Sequence, residues 1–127
     1  MTTHRPTKQP HTLAEIDNLL NWPSGWNTYD ALAPNPLAVA HAKEWITELY
    51  RCVEQWQLQW LAPNVTACAL GDVVFEWWKG QHKVTVLVGA HVVVIFQVTG
   101  KDITDCTLSK ASECETIWRW LVGEEQS

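Results

Sequence analysis

A thiol, a carboxylate and an imidazole stand in one short stretch of this chain: Cys68, Glu76 and His82. A thiol nucleophile needs a base and an orienting group beside it. The residues around Cys68, TACALG, do not form a nucleophile turn. Glu76 lies between Phe75 and Trp77 in an apolar run. Turned inward, its carboxyl would be desolvated and suited to acid work. Strand alternation instead puts it opposite the two rings, on the less buried face, within reach of Lys83. An enzyme using Cys68, Glu76 or His82 is therefore the least favoured reading, and no catalytic residue is assigned.

Metal and cofactor chemistry have as little to build on. The cysteines are Cys52, Cys68, Cys106 and Cys114, with no pair two residues apart and no histidine at finger-like spacing. Reduced, buried thiols are expected. The histidines are His4, His11, His41, His82 and His91. His82 and His91 both follow turns, where a meander could bring them near each other, but two exposed turn histidines are the simpler expectation. No phosphate loop, G-x-S-x-G or H-E-x-x-H occurs. No metal and no cofactor is expected. Asn64-Val65-Thr66 matches a glycosylation acceptor, which carries no weight in a cytoplasmic chain.

What stands out instead is surface chemistry. Nine tryptophans occur in 127 residues. A small domain has limited interior, so some indoles are expected to be only partly covered, and partly covered Trp is a common feature of binding sites. The residues singled out for a partner-facing role are Trp26, Tyr29, Trp45, Tyr50, Trp78, Val93 and Ile95.

The elements that must position them follow from periodicity. Residues 1–11 hold two prolines and no apolar period, and read as a flexible tail. Thr12 to Glu15 fits a capping box, which predicts a first helix over 13–21, stopped by Pro23, Ser24 and Gly25. The segment Trp22 to Pro36 is too apolar to hang in water and is expected to pack back on the domain. Asn35-Pro36 opens a second, long helix. Its stripe is Ala42, Ile46, Leu49, Val53, Trp56 and Trp60, and Pro63 ends it within a few residues. Trp45, Tyr50 and Leu58 fall off that stripe.

From residue 64 the period becomes two. Single-glycine turns at Gly71, Gly80, Gly89 and Gly100 separate the runs. Short strands joined by short turns predict an antiparallel meander of four to five strands. Val92 to Phe96 is apolar on both faces. Such a strand is either covered twice or meets another chain, and the second is the expectation here. Ser112 to Glu115 is a second capping box, opening a last helix with Cys114, Ile117, Trp118 and Leu121 inward and Gly123 at its end. Residues 124–127 read as a frayed end. The fold class is α+β: two N-terminal helices, the meander, a C-terminal helix, and the long helix on one sheet face, as a single domain over 12–123.

The run Gly25-Trp26-Asn27-Thr28-Tyr29-Asp30-Ala31, then Pro34-Asn35-Pro36, then Gly71 to Trp77, resembles a set of small uncharacterised bacterial proteins. These carry a G-W-[DN]-x-Y-x-A loop, a Pro-capped helix and a strand ending in E-W. The resemblance covers residues 20–90 or so and implies no activity.

Charge narrows the partners. Nine Lys and Arg against 14 Asp and Glu leave a net charge of -5. That disfavours nucleic acid, whose binding depends on phosphate neutralisation, and a basic membrane-surface segment. No apolar run approaches the ~20 residues of a spanning helix. The start lacks the apolar core of a signal peptide, so a cytoplasmic protein is expected. The function expected is noncatalytic protein interaction (accessory, adaptor or antitoxin-like), with a homodimer through the sheet as its simplest form. The alternative is a small-molecule module with a Trp-lined pocket between helix and sheet.

Overall fold

The computed structural model describes residues 8–23, 25–26, 32–100, 102–108 and 110–123. The alternating region forms strands β1 (Asn64–Ala67), β2 (Val73–Lys79), β3 (His82–Val88), β4 (Val93–Thr99) and β5 (Asp102–Leu108). They lie in the order β1-β2-β3-β4-β5, each pair antiparallel, so the meander has five strands. Register places Val65, Phe75, Val86 and Ile95 in one cross-strand row. Residues in such a row share a face. Three helices, α1 (Lys8–Asn18), α2 (Pro36–Gln55) and α3 (Glu115–Val122), complete the α+β fold. The core is where they meet that face: Ile16, Ile46 and Leu121 from the helices, Phe75, Val86 and Ile95 from the sheet. No helix among the described residues is long and apolar enough to cross a membrane.

Helix α1 begins earlier than its sequence suggests. Thr12 is not its cap but a fully buried interior residue, and residues 8–11, expected in the tail, are helical. Pro10 is the reason the start is hard to read. A proline in the first turn lacks only an N–H that has no helical partner anyway. The helix tightens into a 3-10 turn, Leu19–Asn21, closed by the Trp22 amide on the Leu19 carbonyl at 3.1 Å.

Helix α2 starts as expected. The Asn35 side chain accepts from the Leu37 amide at 2.8 Å, and Pro36 takes the first helical position. It stops at Gln55, not near Trp60. Gln57 adopts a left-handed φ of 61°. The Leu58 amide then reaches the Val53 carbonyl at 3.1 Å and the Gln57 amide that of Glu54 at 3.0 Å. This pair of bonds is a Schellman stop. Its usual sequence mark, a glycine, is missing, so the apolar spacing to Trp56 and Trp60 reads as more helix than there is.

Residues 58–63 run from this stop into β1. The connection before α2 is held by backbone bonds: Leu32 donates to Ala69 at 2.8 Å and Asn35 to Gly71 at 2.9 Å. Gly71 is required here. Its φ is +91°, and a Cβ would lie 3.0 Å from the Ala33 oxygen.

The last helix is preceded by a 3-10 turn, Ala111–Cys114. Its cap is not the Ser112–Glu115 box. Glu113 Oε1 accepts from the Lys110 amide at 3.1 Å, while Glu115 pairs with Arg119 at 2.8 Å. Gly123 ends α3 at a left-handed φ of 83°, as expected.

Replacing Gln57 by glycine removes the strain of a side chain in the left-handed region. The variant should be more stable by about 0.5–1 kcal/mol in urea denaturation with an unchanged m-value. A loss of stability would mean that Gln57 does not terminate α2 in this way.

Candidate functional site: the bare face of the sheet

The three candidate chemical residues do not converge. Cys68 follows β1, beside the start of β2, whereas His82 pairs with Lys79 at its far end. The length of β2, about 20 Å, lies between. Glu76 is on the opposite face from Phe75 and Trp77, and its carboxylate lies 3.3 Å from the Lys83 ammonium. His82 stacks on Trp120, with ring centroids 3.8 Å apart, and its Nδ1 is 3.0 Å from the Trp120 carbonyl. A carbonyl only accepts, so Nδ1 carries the proton in that bond. His82 and His91 lie at opposite ends of β3 and do not meet. Among the described residues, no group of three His, Cys, Asp or Glu could hold a metal ion.

The space between the long helix and the sheet is filled. Trp45, Trp77, Trp118 and their neighbours leave a cavity of about 10 Å³, room for one water at most. The Trp-lined pocket of the alternative reading is not formed there. Three shallow clefts lie elsewhere among the described residues. One, of about 290 Å³, is bordered by His41, Glu44, Trp45, Glu48 and Lys110. In it His41 Nδ1 is held 2.8 Å from the Gly89 carbonyl. Glu48 is engaged by Arg51 and by the Cys52 thiol. A second cleft, of about 330 Å³, lies against Trp22 and Trp26, whose rings are 4.9 Å apart, and a third, of about 400 Å³, is bordered by Leu13, Lys43, Thr47 and Arg51.

Among the described residues, the second face of the sheet lies outside the core cluster. Cross-strand register puts Val74 opposite Leu87 and Leu87 opposite Val94. It puts Lys83 between Trp78 and Val98, and Val98 opposite Ile103. Phe96 stands opposite Thr85 on the same face. The core formed with the helices contains none of these residues. Trp78 is 56% exposed and Ile103 67%. Val74 is buried, and Leu87, Val94, Phe96 and Val98 are half-buried. Lys83 Nζ lies 5.1 Å from the Trp78 ring centroid while also pairing with Glu76. One cation thus serves a carboxylate and an indole in the middle of an apolar surface.

The partner-facing candidates divide against this geometry. Trp78 is on the bare face. Val93 and Ile95 are not: they are buried under the helices, and their neighbours Val94 and Phe96 face outward. The run is apolar on both faces, so alternation alone does not tell which set is which. Trp45 and Tyr50 are core residues, 4% and 7% exposed. Helix α2 is flanked by the sheet, α1 and the turn before α3, and so buries a wider arc than a single stripe. Trp26 is half-buried, its indole N–H donating to the Leu32 carbonyl at 2.8 Å. Tyr29 lies outside the described residues. Of the nine tryptophans, four are buried, four half-buried, and Trp78 is exposed.

The described cysteines Cys52, Cys68 and Cys114 are not in disulfides. Burial, and then the Glu48 carboxylate beside it, push the Cys52 thiol above its ordinary range. A raised thiol pKa means less thiolate at a given pH and slower alkylation. In iodoacetamide labelling mapped by mass spectrometry, half-buried Cys68 should react before Cys52 and Cys114. Glu48→Gln should speed the reaction of Cys52. Equal rates at all three sites would contradict the packing described.

Comparison of the chain with protein-family models, with curated proteins and with solved structures gives no match.

Proposed function

We propose that this chain is a noncatalytic protein-interaction protein of the cytoplasm, an accessory, adaptor or antitoxin-like subunit. It docks through the bare sheet face, with a second copy of itself as the simplest partner. The observation that carries this reading is the apolar row Val94, Phe96, Val98 on β4 with Ile103 beside it and Trp78 beyond Lys83, on the side of the sheet outside the core cluster. Large exposed apolar patches on small proteins mark contact sites or aggregation hazards. Glu76 and Lys83 cancel each other within the patch, so a second copy meets no net charge at that pair.

Five strands spaced by about 4.8 Å and rising about 3.3 Å per residue give a plan area of roughly 500 Å², and stable complexes bury about 800 Å² of accessible surface per partner.

Light scattering on a size-exclusion column tests this. The wild-type chain should shift towards twice its monomer mass as concentration rises through the micromolar range. Phe96→Glu should stay monomeric with an unchanged circular dichroism spectrum. A wild-type monomer throughout that range removes the self-association form of the proposal.

A further inference from the structure

Four exposed aliphatic side chains gather at one end of the sheet: Leu32, Leu37, Leu70 and Val92. Leu70 and Leu37 are the barest, at 75% and 63%. The backbone ties their segments together. The Leu32 amide donates to the Ala69 carbonyl, on one side of Leu70, and the Asn35 amide to Gly71 on the other. The Asn35 side chain in turn accepts from the Leu37 amide. One turn along the same face of α2, His41 bonds the Gly89 carbonyl. The Gly89 amide donates to the Val92 carbonyl at 2.9 Å, which closes the β3–β4 turn. In a meander the β1–β2 and β3–β4 turns lie at the same end.

The segments that build this end are uncharged. Residues 32–42, 64–71 and 87–100 contain no Asp, Glu, Lys or Arg, although these types make up 18% of the chain. Asp72, which follows the second segment, is half-buried, and a Cβ at Gly89 would lie 3.3 Å from its Oδ1. Its carboxylate is thus turned in towards the β3–β4 turn.

We propose that this end of the molecule rests on a lipid bilayer of neutral headgroups, with the four aliphatic side chains inserted at the headgroup–acyl boundary. Area favours lipid over protein. Four side chains of this size, partly covered, offer a few hundred Å², against about 800 Å² for each partner of a stable protein complex. Shape favours it too. The four residues lie on two turns, a loop and the first turn of α2, and none of them borders the cavity or the clefts described above. Protein hot spots seat in well-packed pockets, whereas acyl chains close around projecting side chains. Charge selects the headgroup. The segments hold no cation to attract an anionic lipid, and the net charge of -5 is repelled by one. Pro34 and Pro36 fix the backbone between Leu32 and Leu37, so little freedom is lost on insertion. This contact is separate from docking through the bare face, whose exposed Trp78 and Ile103 lie towards the opposite end of the sheet.

The test is flotation of the full chain with vesicles on a density gradient, which separates lipid binding from aggregation. The wild-type chain should float with phosphatidylcholine vesicles, and raised salt should not release it. Vesicles that also contain phosphatidylserine should bind it several-fold less at low salt, the difference closing as salt screens the repulsion. Leu37→Asp and Leu70→Asp change exposed side chains, so both should keep the wild-type circular dichroism spectrum. Each should weaken binding to phosphatidylcholine by about tenfold or more. Phe96→Glu, on the bare face, should abolish self-association and float as the wild type does, so the two surfaces fail or succeed separately. No flotation with phosphatidylcholine, full flotation of the folded Leu37→Asp and Leu70→Asp chains, or binding that requires phosphatidylserine would each overturn the proposal. Loss of flotation in Phe96→Glu would also overturn it, by assigning the lipid to the sheet face.

Discussion

Trp118 stacks on Trp60 with centroids 5.3 Å apart and meets the edge of Trp77 at 5.5 Å. From Trp77 the contact passes to Phe75 at 6.0 Å and on to Trp45 at 6.1 Å; from Trp60 it passes to Tyr50 at 5.0 Å. Six rings thus form one chain through α2, β2, α3 and the segment 58–63. Two of them also fasten that segment: Trp77 donates to the Leu61 carbonyl at 2.8 Å and Trp118 to Gln59 at 2.9 Å. Each ring pair adds about 0.5–1.5 kcal/mol beyond the area it buries. Against this, the Trp45 and Trp60 indole N–H groups are buried without a protein acceptor among the described residues, at about 1–3 kcal/mol each. The two contributions are of similar size, so the gain of the cluster is mainly the apolar area it removes from water.

This cluster decides where everything else goes. Phe75 and Trp77 project from one side of β2, so the helices that bury them must all lie on that side. With α1, α2 and α3 committed there, no described helix is left for the other side. The bare face is the geometric consequence of gathering the aromatic residues into one layer. Glu76 lies between Phe75 and Trp77 in sequence and is turned to the opposite face by the same alternation, beside Lys83 and Trp78. A residue that looks suited to acid catalysis when read in a line becomes part of a surface ion pair once the strand is folded.

The meander, its turns and the start of α2 were legible because each has a local cause: strict alternation, single glycines, and an Asn-Pro cap. What was not legible depended on context beyond a few residues. The end of α2 turns on a non-glycine residue in a left-handed conformation, Gln57, which has no compositional mark. The start of α1 is concealed by a proline in the one turn that tolerates it. Trp45 and Tyr50 look off-stripe only if a helix is assumed to touch one neighbour, whereas α2 touches several. On β4, the two residues singled out as partner-facing, Val93 and Ile95, are buried, and Val94 and Phe96 lie on the other face. Val93 and Ile95 differ from Val94 and Phe96 only in phase. Register with Phe75, through Val86, sets that phase, and register is a property of the whole sheet.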